Sequence, residues 1–256
     1  MLTASCIHIK VKRRQNPQSK SYWEEFKIPY KPNMNVVSVL MEVRKNPVNT
    51  KGQVTDPVVW ECNCLEEVCG ACAMLINGRP RQACAALIDK IFETRGADKV
   101  IVLEPLTKFP IIRDLMVDRQ KMFDNLRRVK AWVPVDGSFN LGRGPRLADN
   151  VQQWAYSISR CMTCGCCMEA CPNVNGKSGF IGPTAIAQVR LFNAHPIGAM
   201  HRDMRLEALI KKGGIQECGN SQNCVKVCPK SIKLTTHIAA MNREVNAYAI
   251  KHFLDT

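Results

Sequence analysis

Four cysteines in the run Cys161-Met-Thr-Cys164-Gly-Cys-Cys167-Met-Glu-Ala-Cys171-Pro172 stand at the spacing C-x2-C-x2-C-x3-C-P. That spacing wraps thiolates around an iron–sulfur cube, and the proline ends the loop. Zinc is the alternative chemistry, but structural zinc sites gather two separated pairs of ligands, and thiolates this dense suit several irons better. A second run, Cys218-Gly-Asn-Ser221-Gln-Asn-Cys224-Val-Lys-Val-Cys228-Pro229, repeats the pattern with Ser221 where the second cysteine would stand. When two such runs share a chain, the last cysteine of each ligates the other cluster. The rule assigns Cys161, Cys164, Cys167 and Cys228 to a [4Fe-4S] cube and leaves Cys171, Cys218 and Cys224 for a second. A cube with three protein thiolates holds one iron weakly, so [3Fe-4S] is expected unless the Ser221 oxygen or a water fills the fourth corner. A plain hydrogen-bonding role for Ser221 in its loop stays open.

A third constellation lies nearer the N-terminus: Cys64, Cys69 and Cys72, then Cys84 beyond an Asn77-Gly78 turn. Its C-x4-C-x2-C-x11-C spacing is the plant-type ferredoxin pattern that holds a [2Fe-2S] cluster on four thiolates. Gly70 is expected to let the backbone pass close to the sulfurs and to offer them an amide. Cys6, Cys62 and Cys166 fall outside these sets and read as buried or spare thiols. The histidines His8, His195, His201, His237 and His252 form no spaced pair with a carboxylate and receive no role.

The elements that must position these loops are legible on the N-terminal side. Ile7, Ile9 and Val11 alternate with His8, Lys10 and Lys12, the period of a strand with one buried face. After the polar stretch 13–21, Phe26 and Ile28 alternate with Glu25 and Lys27 in a returning strand that Pro29 breaks. Val36, Val39, Leu40 and Val43 then recur at helical spacing, with Asn33 or Asn35 available as the cap. Hairpin, helix and cluster loop predict an N-terminal β-grasp [2Fe-2S] ferredoxin domain over residues 1–105, closed by a strand at 100–104. Residues 106–110 read as a linker. From there an all-α, bacterial-ferredoxin-like domain is expected over 106–256, which makes the fold class α+β. Leu115, Met122, Leu126 and Val129 form an apolar stripe, residues 150–160, 184–194 and 203–211 read as helices, and 137–145 as a glycine-rich loop.

Composition narrows the class. Fourteen cysteines in 256 residues could suggest disulfides, but residues 1–15 lack the apolar core of an export signal, and dense C-x2-C runs before proline belong to metal clusters. A reducing compartment is expected. No stretch approaches the ~20 apolar residues of a membrane span, so membrane association would run through a partner or the surface. The formal charge of +14 favours anionic partners without choosing among them. Lys12-Arg13-Arg14, Arg127-Arg128 and Lys211-Lys212 are short and scattered, and each reads as solvated surface. No G-x-G-x-x-G follows a strand and no phosphate loop occurs, so nothing here binds a hydride carrier. The chain reads as a wire for single electrons whose donor and acceptor lie elsewhere.

Along nearly its whole length the sequence resembles the iron–sulfur subunit of succinate dehydrogenase and fumarate reductase, respiratory complex II. The likeness rests on Cys64 to Cys72 with Cys84, on Phe109-Pro-Ile-Ile-Arg-Asp-Leu-Met-Val-Asp118, on Arg160 to Pro172, on Gly182-Pro183, and on Cys218 to Pro229. The resemblance implies docking between an FAD-containing flavoprotein subunit and a membrane-anchor cytochrome b subunit. It implies an electron route from succinate through FAD, [2Fe-2S], [4Fe-4S] and [3Fe-4S] to quinone, with catalysis only as part of the complex. It also implies a peripheral place on the cytoplasmic face of a bacterial cell membrane. Ubiquinone-linked members carry a tryptophan pair after the first Cys-Pro and a histidine after the first cysteine of the second run. Here Asn173-Val174-Asn175-Gly176 and Gly219 stand there, while Pro172 is kept as the quinone-proximal residue. This pattern looks more like the menaquinone-linked Gram-positive branch, with haem b on a single anchor subunit and quinone bound mainly there.

Three rival readings remain at this point. A quinol:fumarate reductase subunit shares fold and clusters and differs in direction, which reduction potentials set. The iron–sulfur subunit of another flavoprotein oxidoreductase belongs to the same wire class. A zinc-binding nucleic-acid module is favoured by charge alone, and a colourless, zinc-loaded protein would support it.

Overall fold

The computed structural model describes residues 6–95, 100–134 and 146–254, so the loop expected at 137–145 lies outside the described residues. The chain divides into two compact units, Met1–Arg119 with Met162–Glu169, and Gln120–Cys161 with Ala170–Thr256.

The first unit is built on a five-stranded mixed sheet. Its strands are β1 (Cys6–Arg13), β2 (Tyr22–Pro29), β3 (Ala73–Ile76), β4 (Arg79–Gln82) and β5 (Val100–Glu104), in the order β2-β1-β5-β3-β4. β1 runs antiparallel to β2 and parallel to β5, and this parallel pairing requires a crossover between them. Helix α1 (Val36–Lys45) lies within that crossover and buries Val36, Val37, Val39, Leu40 and Val43. Each aliphatic side chain taken from water contributes roughly 1.5–3 kcal/mol. Asn35 caps the helix, its Oδ1 accepting from Ser38 N at 2.9 Å. Ile7, Ile9 and Val11 face the same core as Phe26, Ile28, Ile101 and Leu103. The alternation read from β1 therefore selects the buried face.

Helix α2 (Ile88–Arg95) and a short hairpin, β6 (Ile111–Arg113) with β7 (Met116–Val117), complete the sheet-bearing unit together with α5 (Cys166–Glu169). Leu115, expected in a helical stripe, sits in the turn of that hairpin and packs into the sheet's core. Arg13 is the other departure: it is not solvated surface. The β1 alternation continues one step further and turns its guanidinium inward, leaving 1% exposed. There Nε donates to Asp114 Oδ1 at 2.9 Å and Nη1 to Glu24 Oε2 at 2.5 Å. Asp114 also accepts from the amides of Arg14 and Val59, so the 111–117 hairpin is fastened to the sheet through one buried carboxylate.

The second unit is helical: α3 (Gln120–Arg128), α4 (Asp149–Ser159), α6 (Pro183–Ala194), α7 (Pro196–Ala199), α8 (Arg202–Ile210), α9 (Asn223–Lys226) and α10 (Leu234–Leu254). α6 opens with proline at its first position, where a missing N–H costs nothing, and packs against α3, α4, α8 and α10. Buried Arg205 on α8 donates to the carbonyls of Lys130 and Trp132, just after α3, and of Gly198 in α7, at 2.9, 2.8 and 2.6 Å.

Candidate iron–sulfur cluster sites

The 64–72 loop aims backbone amides at sulfur. Cys64 Sγ accepts from Glu66 N at 3.4 Å and from Val68 N and Cys69 N at 3.3 Å, and Cys69 Sγ accepts from Ala71 N at 3.5 Å. Positive φ at Leu65, Glu67 and Gly70 coils the loop so tightly that these amides turn inward. Cys84, on a 3₁₀ turn after β4, joins the loop because Glu67 N donates to its Sγ at 3.3 Å. Cys84 is also a direct neighbour of Cys72. Amide hydrogen bonds from Glu66, Val68 and Cys69 pull the Cys64 thiol down to about 7, while burial pushes Cys72 up to about 12. Four sulfurs, several already held by N–H donors, make a soft, anion-stabilising set that fits an iron–sulfur cluster.

Gly70 also permits a close approach of another part of the chain. A Cβ there would meet Met162 O at 2.8 Å and Cys164 Cβ at 2.9 Å, so the residue must be glycine for the 162–169 turn to lie against the loop. That turn carries Cys164 and Cys167, both buried. Glu169 anchors it by accepting from Thr107 Oγ1 at 2.6 Å and Lys108 N at 3.0 Å. Gln82 on β4 reaches both loops, lying 3.5 Å from Cys72 Sγ and 3.6 Å from Cys166 Sγ. A hydrogen bond from the Cys166 thiol draws Cys164 down to about 7 and drives Cys166 itself upward. Cys166 is buried and Cys62 is exposed. Cys166→Ala and Cys62→Ala are expected to retain full iron and sulfide content. Cys166→Ala is expected to cost about 1 kcal/mol of stability from the small void it leaves. Loss of one cluster in either variant, read by metal analysis, would reassign the ligands. Cys161, next to the end of α4, and Cys228, after α9, belong to the helical unit.

In the helical unit, Cys171, Cys218 and Cys224 line a single pocket, and Ser221, Pro183 and Ile238 share its wall. Two side-chain amides hold its two loops side by side. Asn173 Nδ2 donates to Glu217 O at 2.8 Å and Asn223 Nδ2 to Ala170 O at 3.2 Å, so each cysteine run is tied next to a ligand position. Gly219 leaves room for Asn173, whose Oδ1 a Cβ would meet at 3.0 Å. Positive φ at Asn220 and Gln222 curls the chain around Ser221. Burial and the nearby charges of Cys171 and Cys218 push the Cys224 thiol to about 11. Among the described residues no three His, Cys, Asp or Glu converge on a point that could chelate a single ion. The three cysteines instead line one pocket, and thiolate ligands of this kind suit an iron–sulfur cluster.

Residues 8–124 match the family of 2Fe-2S iron-sulfur cluster binding domains and residues 157–232 that of 4Fe-4S dicluster domains. Together with the sheet unit and the helical unit, these matches define a two-domain iron–sulfur electron carrier. The chain is 58% identical over 247 residues to the succinate dehydrogenase iron-sulfur subunit of Bacillus subtilis (strain 168), covering 96% of this chain and 95% of that protein. It is 31% identical over 234 residues to the fumarate reductase iron-sulfur subunit of Wolinella succinogenes, covering 90% and 92%. A chain in the structure of the Mycobacterium smegmatis Sdh1 complex in the apo form has the same fold, with a TM-score of 0.77 at 23% identity over 95% and 96% of the two chains. The chain belongs to the family of succinate dehydrogenase iron-sulfur subunits.

Proposed function

We propose that this chain carries electrons, one at a time, from the FAD-containing flavoprotein of a succinate dehydrogenase to menaquinone at a membrane-anchor cytochrome b. On this reading Cys64, Cys69, Cys72 and Cys84 hold [2Fe-2S]; Cys161, Cys164, Cys167 and Cys228 hold [4Fe-4S]; and Cys171, Cys218 and Cys224 hold [3Fe-4S]. The clusters supply the one-electron redox chemistry when bound. The chain's own residues fix the loops against each other, shield the sulfurs with apolar side chains, and direct amides at the thiolates. The observation that carries the reading is the pocket where three cysteines meet and a serine stands in the fourth cysteine's place. Among the described residues no helix is long and apolar enough to cross a membrane, so on this reading the anchor subunit holds the chain at the cytoplasmic face of the membrane. The 58% identity to a succinate dehydrogenase subunit, against 31% to a fumarate reductase subunit, favours succinate oxidation as the direction.

Electron paramagnetic resonance on anaerobically purified protein, oxidised and then dithionite-reduced, tests the assignment. A three-iron signal when oxidised, joined by [2Fe-2S] and [4Fe-4S] signals on reduction, is expected. Ser221→Cys is expected to replace most of the three-iron signal with a second [4Fe-4S] signal. An unchanged spectrum would show that Ser221 is not the missing corner, and zinc without iron would end the electron-carrier reading.

A further inference from the structure

Arg119, two residues past β7, reaches back to the 64–72 cluster loop. Its Nη2 donates to Ala71 O at 2.8 Å, the carbonyl between Cys69 and Cys72, and its Nη1 pairs with Glu61 Oε2 at 3.0 Å. The arginine side chain is 15% exposed and that of Glu61 is 35% exposed, so the carboxylate is the better solvated of the two. Arg119 Nε is buried with no acceptor among the described residues. Gly70, next to Ala71, packs so closely on the second cysteine turn that an added Cβ would meet Met162 O at 2.8 Å and Cys164 Cβ at 2.9 Å, so the loop that Arg119 holds lies directly against Cys164. One permanent positive charge therefore stands beside two loops assigned to different clusters.

We propose that Arg119 is a positioning residue that sets the reduction potentials of the [2Fe-2S] and [4Fe-4S] clusters together, holding both above the values they would have without its charge. The inference rests on the cluster assignment above and deepens it. Reduction adds one electron to a centre that thiolates already make anionic, and a fixed cation nearby stabilises the reduced form more than the oxidised form. Arginine suits the task because it does not lose its proton at any working pH. Partial burial limits screening by water and salt, while Glu61, being more exposed, offsets only part of the field. A unit charge about 12 Å away at an effective dielectric near 20 is worth about tenfold in a one-electron equilibrium, or about 59 mV.

The test is a potentiometric titration, followed by electron paramagnetic resonance, of the cluster-loaded 256-residue chain and its variants. Arg119→Met is expected to shift both midpoints downward by about tenfold in the reduced-to-oxidised ratio, and Arg119→Lys to keep most of the wild-type value. Glu61→Gln, which removes the opposing charge, is expected to shift both upward. Wild-type midpoints in the loaded fraction of Arg119→Met would overturn the proposal, because a merely structural brace would lower occupancy without moving the potential. Equal shifts in Arg119→Met and Arg119→Lys would also overturn it, since charge would then not be the cause. If Arg119→Met loads no cluster, Glu61→Gln decides: an upward shift supports the assignment and no shift ends it. Absence of the cluster signals from wild-type protein would instead overturn the electron-carrier reading itself, so the two failures are distinguishable.

Discussion

Arg13→Met is expected to lower the stability of the sheet-bearing unit by roughly 3–5 kcal/mol, the cost of stripping one partner from a buried ion pair. The guanidinium is 1% exposed, with Glu24 and Asp114 at its two ends, 8% and 0% exposed in their side chains. Burial alone would lower the arginine's pKa, but the hydrogen bond and charge of Asp114 reverse the effect and raise it, so the group stays cationic. Methionine fills similar volume and leaves two carboxylates facing each other away from water. Arg13→Lys keeps the charge but not the fork that also reaches Asp56 O at 3.0 Å, so an intermediate loss is expected. Scanning calorimetry should show a transition lowered by roughly 10 °C or more in Arg13→Met. A loss under about 1 kcal/mol would place this network with ordinary surface pairs such as Arg127–Asp124.

Gly70→Ala is expected to remove most of the [2Fe-2S] cluster. The residue sits at φ +77, where a side chain costs about 1–2 kcal/mol. Its new Cβ would also fall 2.8 Å from Met162 O and 2.9 Å from Cys164 Cβ, atoms of a turn that cannot swing aside as a flexible side chain would. Forced overpacking of this kind adds about 1–3 kcal/mol, and the relief is displacement of the loop or of the turn against it. Gly78→Ala is the control: its φ is +74, but nothing lies within 4 Å of the added Cβ, so it meets backbone strain alone. Iron and sulfide analysis with the reduced [2Fe-2S] signal should show Gly78→Ala near wild type and Gly70→Ala below half. Equal content in the two variants would mean that the close approach to 162–164 has no part in holding the cluster.

The α+β class, the opening hairpin, α1 and the closing strand were legible in the sequence because they rest on local periodicity and turn chemistry, while the choice of Asn35 over Asn33 as the cap came from the structure. α10 carried a readable signal too: Leu234, Ile238, Met241 and Val245 recur at helical spacing and are among the residues it buries. The cysteine runs were legible because ligand spacing is a property of a few consecutive residues. Arg13 could have been read by extending the strand's alternation one residue beyond the apolar ones, but its partner Asp114 could not, lying 101 residues away.

By itself the sequence determined the kind of chemistry, sulfur-ligated one-electron transfer on a β-grasp and a helical domain, because spacing and period are encoded locally. Tertiary structure alone decided which uncharged and charged neighbours each loop receives. It set Gln82 between Cys72 and Cys166, Gly70 under the 162–164 turn and Arg119 against Ala71, and it brought Cys171 into one pocket with Cys218 and Cys224. Those contacts join residues tens of positions apart, where chain entropy leaves the partner unspecified until the core closes and selects it.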